Sequence, residues 1–594
     1  MTFLRRVLPI LEWAPQYARR DLRGDLAAGV TVGAMLVPQA MAYALLAGLP
    51  PEVGLYAATV PVLIYALFGT SRQLAVGPVA IVSLLTASAL GQLVDEGTAG
   101  YLAAAAMLAL LVGGIHLILG IGRLGFLVNF LSHSVLVGFT AAAAIVIGFS
   151  QIKHLFGISV ERQDHFYETV AEVGGQIPET HGTTLALAAV ALVTLFLLKR
   201  WMPRLPAALI VVVGSIVAVE LFDLESKGVA TVGSIPDSLP AFGLPDVDGS
   251  LVGSLLPTAF VITMVGFMES IAVAKVYARR HRYEVEPNSE LIGLGAANVG
   301  AGLFGGYPVT GGFSRTAVND TAGARTPLAS IITALLVLLT IAFLTPLLSS
   351  MPNAVLGAII IVAVIGLIDV REMRHIARVK PTDMISLGVA FVATLALGIE
   401  LGIAVAIVAS MLVVFARMSR PHTAVLGRVP DTTNYRNVER FPEVETREGV
   451  RVVRIDAAIS FVNAVAVKRL IVEQAEAIDA PPRALVLDAS GINDLDATGV
   501  DMLDELLPEL ERRRVDLHLA DVKGPVRDVL RRAGIWERSA GRIHASTSDA
   551  VEVITRGKPG PEDQRRHGID EHHDLEHFGD RPRSTQGPQP LETT

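Results

Sequence analysis

Fourteen apolar segments occupy most of the first 420 residues of this 594-residue chain. A helix that spans the hydrocarbon core of a bilayer needs roughly 20 apolar residues, and soluble chains do not repeat such stretches so often. Hydrophobic residues make up 52% of the sequence and charged residues only 18%, which also favours a membrane protein. The pattern therefore predicts a multi-pass α-helical membrane protein, and the even number of segments places both of its ends on one side. The segments lie near residues 25–47, 52–69, 72–93, 99–120, 126–151, 183–199, 206–222, 251–278, 288–306, 310–324, 326–346, 353–370, 382–398 and 400–417.

Charged residues divide the chain into two parts of different composition. They account for 51 of the first 420 residues and for 55 of the last 174. A water-soluble part is therefore expected to follow the membrane domain, and no cleavable signal peptide is visible before it. The expected domains are an N-terminal segment at 1–24, a membrane domain at 25–420, a linker at 421–449, an α/β domain at 450–556 and a disordered tail at 557–594 that contains several histidines.

The basic residues of the membrane domain predict its orientation. With the N-terminus inside, 21 of its Lys and Arg residues flank the cytoplasmic ends of the segments. Only Lys153, Arg162 and Lys227 fall on the opposite side, and Arg315 lies within a segment. Because cytoplasmic loops carry an excess of basic residues, this distribution predicts that both termini are cytoplasmic. The chain is then expected in the inner membrane of a bacterium.

Composition and spacing exclude several function classes. The chain has no cysteine, so disulfides, thiolate metal sites and cysteine nucleophiles are ruled out. A formal net charge of −8 argues against a nucleic-acid partner. No nucleophile, base and orienting group stand at a recognisable catalytic spacing, so neither an enzyme nor a cofactor is predicted.

Two segments are interrupted by glycine and proline at their starts. Val76-Gly77-Pro78 opens the third segment, and Tyr307-Pro308 with Gly311-Gly312 opens the tenth. If segments one to seven and eight to fourteen form two halves, these positions correspond, and an odd number of spans per half makes the repeat inverted. A pair of interrupted segments at matching positions indicates the central site of a transporter. Two helix N-termini that meet there carry partial positive charge and free N–H groups, which suits an anion. The alternative is that glycine and proline merely ease helix packing.

A few polar side chains lie inside the apolar segments. Glu269 lies deep in segment eight, where a buried carboxyl group favours its neutral form and can carry a proton. Arg315 opens segment ten and offers a planar fork of donors suited to oxyanions. Its alternatives are an ion pair with Glu269, a backbone contact or a bond to Asp320. Gln39 and Tyr43 are four residues apart, hence on one helix face, and are alternatively ordinary interhelical contacts.

The soluble part has the pattern of a small α/β domain. Val450–Ile455 and Ala484–Leu487 read as buried strands, and Val500–Leu510 reads as an amphipathic helix. The turn before this helix offers Asp496 or Thr498 as its N-terminal cap.

The motifs together resemble those of the SulP family, the bacterial sulfate permeases related to animal solute-carrier anion transporters such as prestin and pendrin. The resemblance rests on Val37–Ala44, Phe68–Arg72, Val76–Pro78, Phe313–Asn319 and Asp488–Gly499. The last motif belongs to the STAS domain, which would occupy residues 450–556. The family resemblance implies 14 spans in a 7+7 inverted repeat of the uracil-permease-like fold, with a core domain that moves as an elevator against a gate domain. It also implies a homodimer.

The resemblance assigns roles to individual residues. Glu269 matches the acidic coupling position of span eight, which is an aspartate in a sodium site in related bicarbonate carriers. Val79 stands where some animal relatives have an aromatic residue, which would leave the pocket less enclosed. Thr498 matches a regulated phosphoserine of anti-sigma factor antagonists and is a candidate regulatory residue. The residues carried over to the anion pocket are Gln39, Tyr43, Gly77, Val79, Phe313, Ser314 and Arg315.

The expected function is secondary active transport of a small anion, with proton-coupled sulfate symport as the first hypothesis. Bicarbonate or dicarboxylate transport coupled to protons or sodium is the alternative substrate assignment. Uncoupled exchange or channel activity is another possibility, and a third is signalling through a cytosolic partner of the STAS domain.

Overall fold

The computed structural model describes residues 8–126, 132–160, 166–202, 206–235, 238–246, 249–476 and 482–556. The tail expected at 557–594 lies outside these residues. The chain divides into two units at Met411/Leu412, and each unit has its own hydrophobic clusters.

The first unit is helical, and its helices fall into two successive halves that follow a short N-terminal helix, α1, at Ile10–Trp13. The helices of the first half are α2 Arg19–Leu46, α3 Pro51–Ala57, α4 Val60–Phe68, α5 Ala80–Gly91, α6 Ala99–Ile121, α7 His133–Ser150, α8 Ile152–Phe156, α9 Phe166–Gln176, α10 Gly182–Trp201 and α11 Ala207–Phe222. Those of the second half are α12 Gly249–His281, α13 Pro287–Leu303, α14 Phe313–Ala322, α15 Leu328–Phe343, α16 Thr345–Leu348, α17 Asn353–Ile365, α18 Val370–Val379, α19 Asp383–Leu397 and α20 Ile399–Met418.

These helices coincide with the fourteen apolar segments. Among the residues that the structure describes, eight helical stretches are long and apolar enough to cross a membrane, and four shorter apolar helices of 10–17 residues accompany them. The remaining two segments contain α13 and the half-helix α14. α5 and α14 are short because each follows an extended strand within its segment, as the glycine and proline pattern predicts.

The two strands pair with each other inside the helical unit. β1 is Val76–Gly77 and β2 is Thr310–Gly311, and they run antiparallel with Val76 opposite Gly311. Extended backbone in a bilayer must have its polar groups satisfied internally. The pairing of β1 with β2 provides this and joins the two halves of the chain at the place where both are interrupted.

The helices pack in two groups. α13 lies against α4 and α6, and α15 lies against α2, which assembles the segments around the two strands. In the other group α19 packs on α7, and α17 on α10. This grouping corresponds to the core and gate domains that the resemblance implies.

Two buried carboxylates each join one half of the chain to the other. Glu290 of α13 accepts hydrogen bonds from Tyr65 Oη at 2.7 Å, from the Thr70 N–H at 2.7 Å and hydroxyl, and from the Ser71 N–H at 3.0 Å. Asp25 of α2 accepts from the N–H groups that follow α14, at 2.7 and 3.0 Å, and from a threonine hydroxyl at 2.6 Å. Both carboxylates are fully buried. Glu290 therefore holds the turn that precedes the interrupted third segment, and Asp25 holds the turn that follows the interrupted tenth segment.

The second unit contains a six-stranded mixed sheet with the order β4-β3-β5-β6-β7-β8. Its strands are β3 Thr423–Arg428, β4 Tyr435–Asn437, β5 Val450–Ile455, β6 Ala484–Asp488, β7 Asp516–Ala520 and β8 Ile543–His544. Strands β5 to β8 are parallel, and β3 is antiparallel to both of its neighbours. The helices of this unit are α21 Ala464–Ala475, α22 Ala497–Arg512, α23 Gly524–Arg532, α24 Ile535–Arg538 and α25 Thr547–Arg556.

The domain begins earlier in the chain than its hydrophobic pattern indicates. β3 and β4 lie within residues 421–449, the stretch expected to be a linker. Ala424 and Leu426 of β3 are buried in one cluster with Val452 of β5. The sequence pattern does not predict these strands because the stretch is rich in charged and turn residues. Instead, β3 is stabilised by pairing with β5.

Replacing Glu290 with alanine should destabilise the helical unit. Four donors would lose a charged acceptor in a buried site, and the loss of hydrogen bonds to a charged group costs about 3 kcal/mol or more. Thermal unfolding in detergent should show a lower midpoint for E290A. The exposed Glu284 provides the matched control E284A, and an equal midpoint for both variants would contradict the bridging role.

The β7–β8 edge of the sheet should open at acidic pH. His518 Nδ1 and His544 Nε2 lie 2.9 Å apart, and burial, followed by the charge of His544, lowers the pKa of His518 from 6.5 to about 4. Asp516 opposes this lowering of the pKa and Arg542 adds to it. The folded form binds the proton less tightly than the unfolded form, so stability present above pH 6.5 is lost as the pH falls towards 4.

Hydrogen exchange of the full-length protein measures this opening. Protection of β8 amides, corrected for intrinsic exchange rates, should fall between about pH 7 and about pH 5 in the wild type and much less in H518N. H375N, which changes an exposed histidine elsewhere, should behave as the wild type. Equal losses of protection in wild type and H518N would show that another group is responsible.

Candidate anion-binding site

Two helix N-termini without side-chain caps lie next to the strand pair. Val79 precedes α5 and Gly312 precedes α14, and neither provides a capping hydrogen bond. The first backbone bonds of these helices run from Ser83 N–H to Val79 O and from Thr316 N–H to Gly312 O. The N–H groups of residues 80–82 and 313–315 therefore have no intrahelical acceptor. Two such ends produce a site of positive potential for an anion.

Arg315 adds a full positive charge to these helix ends. Its side chain is 2% exposed, and Nη1 donates to Pro78 O at 2.5 Å. Nε and Nη2 are shielded from solvent and have no hydrogen-bond partner among the described residues. A Cβ atom at Gly312 would lie 3.0 Å from Nη2, and one at Gly77 would lie 3.5 Å from it. The glycines thus leave room for the guanidinium, which has two donors available.

Two of the three alternative partners expected for Arg315, namely Asp320 and Glu269, do not bind it directly among the described residues. Asp320 binds Arg280 at 2.7 Å and His281 at 2.5 Å on α12, and so does not pair with Arg315. Glu269 forms no direct ion pair with Arg315 among the described contacts, and its Oε2 is shielded and without a partner. Of the three alternatives, only the backbone contact, to Pro78 O, is present.

Glu269, Tyr43 and Arg315 nevertheless form one electrostatic group. The charges of Glu269 and Arg315 act on each other, and the Tyr43 hydroxyl lies in the field of both. The group combines an acid, a fixed cation and a phenol at the interrupted segments.

The other predicted pocket residues divide by exposure. Gln39, Tyr43 and Val79 are buried, and Gln39 Oε1 has no partner among the described residues. Gln39 lies one turn before Tyr43 on α2, and the nearby Leu36 approaches the Cβ position of Gly77 to 3.6 Å. Phe313, at 55% exposure, and Ser314 are open at the start of α14. The first turn of α14 therefore exposes Phe313 and Ser314 and buries Arg315.

Several residues that hold the strands in place are not predicted from the sequence. Asn298 of α13 is fully buried, and its Oδ1 accepts from the Val309 N–H while its Nδ2 donates to Val309 O, each at 2.9 Å. The side chain thus replaces a neighbouring strand for the residue that precedes β2. Ser270 Oγ accepts from the Gly311 N–H at 2.8 Å and contacts the Thr310 hydroxyl at 2.6 Å. The sequence does contain one signal for Asn298, because a polar asparagine inside an apolar helix is unusual.

Further hydrogen bonds tie each half-helix to the opposite segment. Thr316 Oγ1 accepts from the Ala75 N–H at 3.0 Å, and Asn319 Nδ2 donates to Gln73 O at 2.8 Å. The Tyr307 hydroxyl lies 2.9 Å from Ser83 Oγ, and both residues are buried.

Thr498 lies in the soluble unit, in the exposed first turn of α22. The cap of this helix is Asp496, which accepts from the Gly499 N–H and the Phe461 N–H at 2.8 Å each. Of the two capping candidates, Asp496 therefore fills the role, and the Thr498 side chain stays accessible. Within the described residues, no three His, Cys, Asp or Glu side chains are grouped as a metal site.

Comparison with known proteins identifies both units. Residues 22–390 match the sulfate permease family, and residues 441–550 match the STAS domain. The chain is 39% identical over 571 residues to the chloroplastic sulfate transporter 4.1 of Arabidopsis thaliana, covering 92% of this chain and 82% of that protein. It is also 39% identical over 551 residues to a probable sulfate transporter of Mycobacterium tuberculosis, covering 92% and 98%.

Solved structures give the same result for the fold. The murine Slc26a9 anion transporter in its inward-facing state matches with a TM-score of 0.87 at 28% identity, over 94% of this chain and 95% of that one. The transmembrane domain of the cyanobacterial bicarbonate transporter BicA matches with a TM-score of 0.57 at 25% identity, over 66% and 98%. The predicted family and fold class are confirmed. With its interrupted segments, helical membrane unit and α/β STAS domain, this chain belongs to the sulfate permease family and is a membrane anion transporter, not an enzyme.

Proposed function

We propose that the chain is a secondary active transporter that carries sulfate together with protons across a bacterial inner membrane. The observation that carries the proposal is the buried guanidinium of Arg315, which has two free donors beside two uncapped helix ends. In a low-dielectric site, such an arrangement needs an anion to satisfy both its charge and its hydrogen bonds. Relatives that are named sulfate transporters and align along 92% of the chain favour sulfate as that anion.

Glu269 supplies the coupling in this mechanism. Its carboxylate shares the site with Arg315, so an ionised Glu269 competes with the anion for the positive field. Protonation removes that competition, and sulfate and the proton then bind together. Once both sulfate and the proton have been released, the empty site can return to the opposite side of the membrane. This requirement couples the two fluxes. Sodium coupling through the same carboxylate is the alternative.

The movement proposed is an elevator in which the group of helices around β1 and β2 slides against the α7, α10, α17 and α19 group. The strand pair and the buried carboxylate bridges support it, because they tie both halves into one body that carries the whole site. We further propose that both termini are cytoplasmic, because the basic residues lie on that side, and that the protein is a homodimer, as the family resemblance implies.

Bicarbonate is the second candidate substrate. The likeness of the membrane unit to the BicA transmembrane domain supports it, and a planar monoanion also suits a guanidinium fork. A cytosolic partner of the STAS domain is a separate proposal, which the accessible position of Thr498 on α22 supports.

Replacing Arg315 with alanine should raise the apparent KM for sulfate. The loss of hydrogen bonds from a charged donor costs about 1.5–3 kcal/mol, which corresponds to about a 10- to 100-fold weaker affinity. Radiolabelled sulfate uptake into proteoliposomes measures this change, and R315K should recover part of the affinity because it keeps the charge without the fork. R282A is the matched control, since Arg282 is exposed outside the site. An unchanged KM in R315A would refute the site.

Replacing Glu269 with glutamine should abolish accumulation of sulfate driven by an inward proton gradient. The amide imitates the neutral acid at every pH, so binding continues while the coupling is lost. Sulfate counterflow without a gradient should therefore persist in E269Q and demonstrate a folded site. E284Q changes an exposed carboxylate and should accumulate sulfate as the wild type does. Gradient-driven accumulation by E269Q in sodium-free buffer would exclude this residue as the proton carrier.

A further inference from the structure

A cavity of about 2020 Å³ lies on the N-terminal side of the helical unit, and none of the proposed anion-pocket residues lines it. Its walls are the N-terminal segment that contains α1, the facing sides of α4, α6 and α13, the turn that precedes the third segment and the turn that follows the tenth. The cavity therefore combines helix faces with charged turns at one end, and nothing in the transport mechanism uses it.

The long wall of this cavity is an apolar stripe on α13. Ile292, Ala296, Val299 and Leu303 are three or four residues apart, so they share one helix face, and all four are only partly buried. From the first to the last, the stripe measures about 16 Å at 1.5 Å per residue. The hydrocarbon core of a bilayer is about 30 Å thick, so the stripe matches the depth of one leaflet.

The mouth of the cavity is polar and carries both signs of charge. Arg20 and Arg123 line it together with Glu12 and Glu284, and none of these four has an ion-pair partner among the described residues. Trp13 Nε1 is shielded from solvent and lacks a hydrogen-bond partner in the same part of the chain. The mouth therefore offers unused donors and acceptors beside an apolar wall.

We propose that this cavity binds a phospholipid of the adjacent leaflet whose head group is phosphoethanolamine. Its acyl chains would lie along the α13 stripe, and its phosphate would accept from the Trp13 N–H and from the arginines. Its ammonium would meet the two glutamates. Because the free charges of the mouth are balanced, a zwitterionic head group fits them better than a purely anionic one. Tryptophan at the membrane interface is the residue expected for such a contact.

Native mass spectrometry of the full-length protein with added phosphatidylethanolamine or phosphatidylglycerol tests the proposal. The wild type should retain phosphatidylethanolamine, with at least a fivefold preference over phosphatidylglycerol. A296W should lose this lipid because the indole occupies the part of the α13 stripe on which the acyl chains would lie. W13F, which keeps an aromatic ring but removes the donor, should reduce retention severalfold.

V193W is the matched control for added bulk, because Val193 is 56% exposed on α10 outside the cavity. It should retain the lipid as the wild type does. Equal retention in A296W and V193W would overturn the site. Retention of phosphatidylglycerol as strong as that of phosphatidylethanolamine would overturn the head-group assignment. Sulfate counterflow in the same preparations shows that each variant is folded, so that this test stands independently of the transport proposal.

Discussion

The structure depends on how a membrane protein satisfies extended backbone in the absence of water. An unpaired N–H or C=O group costs several kcal/mol in hydrocarbon, so a break in a spanning helix persists only where partners are supplied. Here β1 and β2 supply hydrogen-bond partners to each other. The Asn298 side chain bonds both backbone groups of Val309, the residue that precedes β2 in the interrupted tenth segment. The breaks then leave two helix N-termini in the interior, where they form the candidate anion site.

The pairing also makes the two halves of the chain mutually dependent. β1 comes from the first half and β2 from the second, while Asp25 and Glu290 each bind a turn in the opposite half. Neither interrupted segment is complete without side chains from the other half. The residues around the two strands are therefore joined to one another by contacts between the two halves, which supports the proposed movement of the site as a unit.

The electrostatics of the site follow from what is left unpaired. Arg315 Nη1 donates to Pro78 O, while Nε and Nη2 have no hydrogen-bond partner among the described residues. Glu269 Oε2 is likewise shielded from solvent and without a partner there. Asp320, the other carboxylate on α14, is occupied by Arg280 and His281 and does not neutralise the guanidinium. Among the described residues, this separation of charges leaves Arg315 unneutralised by a direct ion pair, which supports the proposed binding of an anion.

The sequence by itself determined the helical membrane unit, its two interrupted segments and the α/β domain, and the candidate pocket residues stay predictions. These features depend on local properties, namely apolar length, the positions of glycine and proline, and charges inside apolar stretches. Tertiary structure alone decided which partners Arg315 and Asp320 take, that Asn298 substitutes for a strand, and that β3 and β4 extend the sheet into residues 421–449. Each of these depends on contacts between segments far apart in the chain, and side-chain pairing at such distances leaves no periodic signal in a single sequence.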